Sequence, residues 1–174
     1  MQYSTLPSLD HPLATLREMR AEDIEPWYRI LSQSVVVEHT SWNLSSANEL
    51  RPYLETEITP ASVLRLAVVR RDSGALIGSA GFHSVSPMNR TAEMAYDLDP
   101  AVWGQGIARA ACNALAQWAF AHVGLLRVQA TTLRSNVRSQ RVLEACGFER
   151  EGLLRRYRLV RGTPGDFWMF SRLA

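Results

Sequence analysis

Hydrophobic residues near the start of the chain recur with helical spacing behind a short strand-like segment. Residues 13–20 suit a first strand, and the pattern that follows predicts a helix over residues 22–33, with Pro26 tolerated in its first turns. The buried face of this helix would comprise Ile24, Trp27 and Leu31.

The next segment resembles a second helix start. Ser46, with Glu49 three residues later, is typical of a capping box, in which each side chain accepts a hydrogen bond from the other residue's backbone. Pro52 lies close behind and can delay the true start of the helix. The buried stripe would be Leu50, Leu54 and Ile58.

Three strands joined by two tight turns are predicted next. Residues 63–71 and 75–85 flank an Asp-Ser-Gly at 72–74, which is a strong hairpin signal. A second turn at residues 87–90 leads to a strand over residues 92–98. Hairpins join antiparallel strands, so the first half of the sheet is predicted to be antiparallel.

The second half of the chain alternates helix and strand. Small and apolar residues at helical spacing predict a helix over residues 106–122, and apolar-polar alternation predicts a strand over residues 126–132. A strand, a helix and a strand in this order form a parallel pair, so the sheet is mixed and the fold class is α/β (α+β). The last elements are a helix at 136–145 and strands at 148–160 and 166–173, with a turn at 162–165.

Length and composition fit one globular domain. Of 174 residues, 47% are hydrophobic and 21% are charged, which is ordinary for a folded domain. We assign residues 1–12 to an N-terminal extension and residues 13–174 to a single domain. The net charge of +2 is too weak to indicate a nucleic-acid partner. Without a signal pattern or the ~20-residue apolar stretch that a bilayer requires, we expect a cytoplasmic protein with no membrane partner.

The side-chain inventory removes several chemistries. The 19 basic residues are all arginine, so catalysis through a lysine Schiff base is excluded. Cys112 and Cys146 fall in helix-like segments without metal-ligand spacing. We expect both to be reduced thiols in the core, and we predict no metal site.

The segment from Asp99 to Arg109 is the most informative part of the chain. It follows a predicted strand, contains Gly104 and Gly106, and opens a predicted helix. Such a helix start presents unpaired backbone N–H groups and the positive end of the helix dipole, which favour an anion and most naturally a phosphate. A Walker loop needs lysine, and the dinucleotide fingerprint needs glycine where this chain has Arg109, so both familiar phosphate loops fit poorly.

Three segments in this order and spacing resemble the GNAT N-acetyltransferase superfamily, and within it the RimJ/RimL type, whose founding members acetylate N-terminal amines of ribosomal proteins. The segments are LIGSAGFHSV, AEMAYDLDPAVWGQGIARAA and LRVQATTLRSNVRSQRVLEACGFEREG. The resemblance extends from about Thr15 to Leu173. It implies the GNAT fold: a mixed central sheet of about seven strands, about four helices, and two strands that splay apart at a cofactor cleft.

The resemblance implies acetyl-coenzyme A as the cofactor, with its diphosphate on the loop from Trp103 to Ala108. Trp103 stands where most of the superfamily has glutamine or arginine, whereas Gly106 and Ala108 fit the family pattern. The pantetheine arm would pair with main-chain groups of the splayed strand. The residues that the resemblance assigns to cofactor binding are Asp97, Leu98, Asp99, Trp103, Gly104, Gln105, Gly106, Ile107, Ala108, Arg109, Asn136 and Ser139.

Direct attack of an amine on a thioester needs a base and a donor to the leaving thiolate. An amine is mostly protonated at neutral pH, and a carboxylate acting through water suffices to remove the proton. We select Glu93 as the base; the other interpretation of Glu93 is a solvent-facing strand residue. His83 is either a second base or a structural histidine. Many relatives have tyrosine where this chain has Leu143, which leaves Ser139 as the candidate thiolate donor or as a serine bonded to a nearby carbonyl.

The acceptor site is the least defined part. The resemblance places it between the first two helices and the final hairpin, and we assign Trp42, His83 and Tyr157 to acceptor binding. Further candidates, which can equally be packing residues, are Trp27, His39 and Trp168. An arginine cluster near the last hairpin suits either an acidic partner or a solvated strand edge: Arg150, Arg155, Arg156, Arg158 and Arg161.

Three functions stay open from the sequence. The first is acetyl transfer to the N-terminal amine of a protein or peptide. The second is acetyl transfer to a small amine such as a polyamine, an amino acid or an aminoglycoside, and the third is a non-catalytic coenzyme A-binding module. Acidic groups lining the acceptor site would favour a polycation, and an open groove with strand edges would favour a peptide. We expect a monomer or a homodimer.

Overall fold

A mixed sheet of seven strands forms the centre of the molecule. The computed structural model describes residues 5–54 and 64–174. The strands are β1 (Ala14–Glu18), β2 (Leu64–Arg70), β3 (Leu76–Ser86), β4 (Thr91–Leu98), β5 (Arg127–Leu133), β6 (Glu149–Val160) and β7 (Thr163–Leu173). Their order is β1-β2-β3-β4-β5-β7-β6, and each neighbouring pair is antiparallel except β4–β5. The predicted α/β class with an antiparallel first half is therefore confirmed.

Four α-helices lie in the described part of the chain: α1 (Ile24–Leu31), α2 (Ser34–Val37), α3 (Ile107–Trp118) and α4 (Val137–Ala145). The single turn α2 is not predicted by the sequence, because Ser-Val-Val-Val favours a strand. Carbonyl groups at its end, on Val37 and Glu38, accept hydrogen bonds from Arg161. Contacts from a distant hairpin therefore stabilise a helical turn that local preference does not.

The predicted second helix is a 3₁₀ helix, Ala47–Tyr53, that begins at the predicted capping box. Ser46 and Glu49 bond each other's backbone as the pattern indicates. Leu50 is fully buried, and Leu54 is partly buried against the same hydrophobic cluster. The remaining member of the predicted stripe, Ile58, lies outside the described residues.

The final hairpin turn is shorter than the sequence indicates. Val160 pairs with Thr163, which leaves a two-residue loop of Arg161 and Gly162 at φ 49° and 80°. Two positive φ values match the primed turns that suit the twist of a hairpin. The predicted turn at residues 162–165 was therefore wrong, and β7 begins at Thr163.

Helices cover both faces of the sheet, and β4 shows how they divide. The Tyr96 hydroxyl meets Ser139 on α4, whereas the next side chain, Asp97, bonds Trp27 on α1. Successive strand residues point to opposite faces, so α4 and α1 lie on opposite sides of the sheet. The larger core lies on the α3 and α4 side and includes Phe82, Leu115 and Leu143. The smaller one lies around α1 and includes Trp27, Leu31 and Leu50.

Both cysteines, Cys112 and Cys146, are free and buried, as the sequence predicts. None of the described helices has the length and apolar character needed to cross a membrane. Among the same residues, no group of three or more His, Cys, Asp or Glu side chains could hold a metal ion.

Candidate active site

β4 and β5 pair over a short stretch and then separate. Their parallel register runs only from the Thr91–Arg127 pair to the Glu93–Gln129 pair, although both strands continue beyond it. On its other side, β4 remains paired with β3 as far as Leu98. One edge of β4 is therefore free inside the sheet, which confirms the predicted splay.

Alternate peptide groups of β4 point into this gap. The Asp99 N–H donates to the Ile77 carbonyl on β3 at 2.8 Å, so the main chain of Asp99 is directed toward β3. Direction alternates along a strand, so Asp97 is directed toward β3 as well, while Tyr96 and Leu98 face the gap. Of the three residues predicted to pair with pantetheine, Leu98 has its main chain directed toward the gap, and so does Tyr96, which was not among the predicted residues.

The side chains of Asp97 and Asp99 are engaged within the protein. Asp97 is buried in a network with Arg65, Ser79 and Trp27. Asp99 accepts a hydrogen bond from the Ala101 N–H at 2.9 Å and starts the 3₁₀ turn Pro100–Val102. Their carboxylates therefore hold the fold at the end of β4.

The start of α3 lies beside the gap and carries unpaired backbone N–H groups. Gly106 is the N-cap at φ 82°, and no side chain caps this end. Its carbonyl accepts the Ala110 N–H, so the N–H groups of Ile107, Ala108 and Arg109 have no partner within the helix. Together with the helix dipole, they form the arrangement that favours an anion.

A cavity of about 610 Å³, the larger cavity, joins the start of α3 to the free edge of β4. This volume is typical of cofactor and small-molecule sites. Predicted cofactor residues line it: Asp97, Leu98, Trp103, Gly104, Gly106, Ile107, Ala108, Arg109, Asn136 and Ser139. Arg138 and Arg141 line it too, so three exposed arginines, with Arg109, surround an anion-favouring helix start. Gln105, which was also predicted, is not among the described residues that line the cavity, and its side chain turns back to the Ala101 carbonyl at 3.3 Å.

Trp103 connects the loop to β4. Its indole N–H donates to the Leu98 carbonyl at 2.8 Å, and the Arg138 guanidinium lies over its ring, 4.7 Å from the centroid. Most of the superfamily has glutamine or arginine at this position. Here Trp103 supplies no polar side chain to the cavity, and its ring instead supports the guanidinium of Arg138.

A second cavity of about 120 Å³, the smaller cavity, continues from the larger one. Both are lined by His39, Thr40, Tyr96, Asn136 and Ser139. The far wall of the smaller cavity includes Arg158 and Phe167 from the last hairpin. Among the described residues that line it, none carries a carboxylate.

Tyr96 and Ser139 meet where the two cavities join. Their hydroxyl oxygens lie 2.7 Å apart, and either can donate to the other. Burial raises the pKa of Tyr96 well above its ordinary value, so this hydroxyl keeps its proton at neutral pH. Sequence reasoning missed Tyr96, because its place beside Met94 on the strand face opposite Glu93 indicates only an inward-facing strand residue.

Asn136 fixes the position of Ser139. Its side-chain oxygen accepts the Ser139 N–H at 3.1 Å and so caps α4, while its Nδ2 donates to the His39 carbonyl at 3.3 Å. Asn136 thereby ties α4 to the segment after α2, at the border of both cavities.

Glu93 is buried, so the alternative of a solvent-facing residue is wrong. Its Oε1 accepts hydrogen bonds from Thr131 and Arg158, each at 2.8 Å, and lies 3.4 Å from His83 Nε2. Burial raises the pKa of this carboxyl, but the hydrogen bonds from His83 and Thr131 and the charge of Arg158 outweigh burial and lower the pKa to about 2. A carboxylate whose pKa is about 2 is a weak base.

A β-bulge turns His83 toward Glu93. Phe82 pairs with Met94 and Ser84 pairs with Glu93, so His83 is an extra residue in β3. The His83 side chain is 30% exposed and lines the smaller cavity. Its Nε2 faces Glu93, and its Nδ1 has no partner.

Three buried side-chain atoms in the described part of the chain lack a hydrogen-bond partner, and all three belong to residues that line the smaller cavity. They are His39 Nδ1, His83 Nδ1 and Thr132 Oγ1. A buried polar atom left unpaired costs ~1–3 kcal/mol, so folded proteins normally pair such atoms. Their concentration here indicates a site that a polar molecule would complete.

The predicted acceptor residues separate into two groups. Trp42 and His83 line the smaller cavity, and so does His39. Tyr157 is 41% exposed and packs on Phe167. Tyr157 is not among the described residues that line either cavity, and the same holds for two further candidates, Trp27 and Trp168.

Most of the arginine cluster is engaged in internal contacts. Arg158 pairs with Glu93, Arg150 pairs with Glu144 at 2.8 Å, and Arg161 donates to the Val37 carbonyl at 2.6 Å. β6, which carries most of the cluster, is an edge strand. These pairings favour a charged sheet edge over a docking patch for an acidic partner.

Comparison with known proteins adds a family and several relatives. Residues 14–149 match the family model described as an acetyltransferase (GNAT) domain. The uncharacterised N-acetyltransferase YoaA of Bacillus subtilis strain 168 is 29% identical over 171 residues, which cover 95% of this chain and 96% of that protein. The ribosomal-protein-serine acetyltransferase of Escherichia coli strain K12 is 34% identical over 99 residues, which cover 56% of this chain and 55% of that protein.

A solved structure shares the whole fold. The crystal structure of spermidine N-acetyltransferase from Vibrio cholerae, in complex with CoA and spermine, superposes with a TM-score of 0.82. The match covers 92% of this chain and 95% of that chain at 22% sequence identity.

Proposed function

Because the chain belongs to the GNAT acetyltransferase family, we propose that it transfers the acetyl group of acetyl-coenzyme A to the terminal amine of a protein or peptide. The observation that carries this proposal is the continuity of the two cavities. The larger one extends from the start of α3 along the free edge of β4, and the smaller one opens from it at Tyr96 and Ser139. A long donor that carries phosphates and a small amine acceptor would meet at that junction.

The larger cavity suits coenzyme A in shape and charge. The first N–H groups of α3 would hold the diphosphate, with Arg109, Arg138 and Arg141 as counter-charges. Main-chain groups of Tyr96 and the N–H of Leu98, whose carbonyl already accepts the Trp103 indole N–H, would bond the amides of the pantetheine arm. The arm would lie in the gap like an added strand. The Vibrio cholerae spermidine N-acetyltransferase, which has this fold, is a complex with CoA and supports this assignment.

Acetyl-coenzyme A supplies a thioester whose carbonyl carbon an amine can attack directly. Negative charge develops on the carbonyl oxygen during that attack. A backbone N–H on the free edge of β4 would stabilise the charge, since it is fixed in place and shielded from water.

We assign removal of the proton from the amine to His83, with Glu93 as its partner. The free Nδ1 of His83 would take the proton, and the resulting positive ring would face Glu93 through Nε2. Glu93, the base favoured by the sequence, is unsuited to take the proton itself because its pKa is about 2.

We assign the hydrogen bond to the leaving thiolate to Ser139, with Tyr96 as its partner. When the Tyr96 hydroxyl donates to Ser139 Oγ, the Ser139 hydroxyl hydrogen is free to point at the thiolate, and Tyr96 keeps its own proton. This pair would take the role of the tyrosine that many relatives have at the position of Leu143, as the donor to the leaving thiolate.

The lining of the smaller cavity favours a peptide amine over a polyamine. A polyamine carries several positive charges, and the described lining offers Arg158 and two histidines but no carboxylate to meet them. A volume of about 120 Å³ suits an amine next to a short side chain. The relative from Escherichia coli that is 34% identical is a ribosomal-protein-serine acetyltransferase, which agrees with a protein acceptor.

A thiol-release assay with acetyl-coenzyme A tests this function. Short peptides that begin with serine or alanine are compared with the same peptides blocked by N-acetylation and with spermidine. We expect thiol release with the free peptides, none with the blocked ones, and a kcat/KM for spermidine at least tenfold lower. Faster turnover of spermidine would replace the peptide acceptor with a polyamine, and no release with any amine would leave a coenzyme-binding module.

A further inference from the structure

The N-terminal extension reaches the start of α3 through His11, outside the range of the family match. The extension is anchored along its described length: the Thr5 carbonyl accepts the Trp118 indole N–H, and Leu9 is only 2% exposed. Arg71 donates to the carbonyls of Leu9 and His11, at 3.0 and 2.8 Å. The imidazole of His11 is therefore held at one place on the domain.

Both ring nitrogens of His11 are used. Nδ1 accepts the Leu13 N–H at 3.2 Å, and Nε2 lies 2.9 Å from the Gln105 carbonyl oxygen. A carbonyl can only accept, so Nε2 carries the proton, and Nδ1 carries none because Leu13 donates to it. The Nε2 N–H of His11 is therefore directed at the loop before α3.

This hydrogen bond controls the direction of one peptide group. In a trans peptide the carbonyl of one residue and the N–H of the next point in opposite directions. Because the Gln105 carbonyl accepts a hydrogen bond from His11, the Gly106 N–H points away from His11. Gly106, on one side of this peptide, has φ 82°, and Gly104, one residue before it, has φ 77°. Glycine tolerates such φ values and leaves the neighbouring peptide free to rotate unless something holds it.

The geometry points to His11 as a positioning residue that aims the Gly106 N–H at the diphosphate of bound coenzyme A. The inference rests on the proposed function, because it takes the larger cavity as the coenzyme site. His11 acts through the Gln105–Gly106 peptide and touches no reacting atom. It therefore affects affinity for the donor and leaves the chemical step unchanged.

Two substitutions separate the hydrogen bond from the bulk of the ring. Gln in His11→Gln can place a donor where Nε2 lies, whereas Asn in His11→Asn reaches only as far as Nδ1. Calorimetry with coenzyme A should give wild-type affinity for His11→Gln and about tenfold weaker binding for His11→Asn, the size of one hydrogen bond to a charged group. The KM for acetyl-coenzyme A should change in parallel, with kcat unchanged.

Acetyl-pantetheine, which has no diphosphate, is the control substrate. Its KM should be the same for wild type, His11→Gln and His11→Asn. If His11→Asn binds coenzyme A as tightly as wild type, or raises the KM for acetyl-pantetheine equally, His11 does not orient the phosphate site. If wild type itself binds no coenzyme A, the proposed function fails and this role fails with it.

Discussion

Glu93 keeps its charge to low pH because hydrogen bonds and a nearby positive charge stabilise its carboxylate. Its carboxyl pKa is about 2 in the folded protein and 4.5 ordinarily. The unfolded chain therefore binds the proton more readily. The contacts of the carboxylate with His83, Thr131 and Arg158 thus stabilise the folded state above about pH 4.5 and lose this effect as the pH falls toward 2. Glu93→Gln should cost on the order of 2 kcal/mol at pH 7 and less at pH 3, as measured by urea unfolding.

Glu151 offers a matched control for this prediction. Its pKa is also lowered to about 2, by the hydrogen bonds from Arg127 and Ser171, but the pair with Arg127 is exposed to solvent. Glu151→Gln should cost less than about 1 kcal/mol at pH 7, because water screens surface pairs. Equal losses for both variants, or a Glu93→Gln loss that does not depend on pH, would contradict the account of Glu93.

His83 has a separate prediction, because it is the proposed base. His83→Ala should lower kcat about 100-fold, the lower range for a general base, and leave the affinity for coenzyme A unchanged. The exposed His122→Ala serves as the control and should keep wild-type turnover. Turnover within twofold of wild type in His83→Ala would remove this histidine from the mechanism.

The sequence could reveal some of these residues and not others. Gly106 was visible because a glycine before a helix start is a local pattern. The acidity of Glu93 was not, since its partners Thr131 and Arg158 lie 38 and 65 positions away in the chain. Tyr96 was also hidden, because only the fold brings it to Ser139.

The start of α3 is the element to which we assign donor binding, and it allows stability and binding to be separated. Ala108→Asp places a carboxylate in the first turn, where the helix dipole stabilises a negative charge by ~0.3–1 kcal/mol. The same carboxylate would repel a diphosphate. We expect a melting temperature equal to or above that of wild type, together with a KM for acetyl-coenzyme A raised more than tenfold.

Two controls accompany Ala108→Asp. Ala108→Asn has nearly the same size without the charge and should raise the KM much less. Gln117→Glu adds a carboxylate near the other end of α3, at an exposed position, and should leave the KM unchanged. An unchanged KM in Ala108→Asp would place the diphosphate elsewhere.

Elements were predicted well where their signals are local. The hairpin of β2 and β3, the start of α3 and the capping box at Ser46 all follow from short patterns. The turn α2 and the bulge at His83 do not, because distant contacts decide them. The splay of β4 from β5 came from the family resemblance, as no residue pattern in either strand marks where pairing stops.

At the scale of the molecule, the two cavities draw on segments from the whole chain. The family match ends at residue 149, but Arg158 and Phe167, in the wall of the smaller cavity, lie beyond it. The proposed donor side is thus built mainly from the matched segment, and the proposed acceptor side includes the final hairpin. The division explains why the sequence indicated the donor more clearly than the acceptor.

Coenzyme A would bridge β4, α3 and α4, so its binding should stabilise the whole domain. A ligand at 100 times its Kd that binds only the folded state adds about 2.7 kcal/mol, which raises the melting temperature of a domain of this size by roughly 5–10 °C. Thermal unfolding with coenzyme A should show this shift. Pantetheine at the same concentration should give a smaller one, and salt should weaken only the coenzyme A shift, since the cavity arginines are exposed. Equal shifts for the two ligands would mean that the phosphates contribute nothing, and the start of α3 would then not be their site.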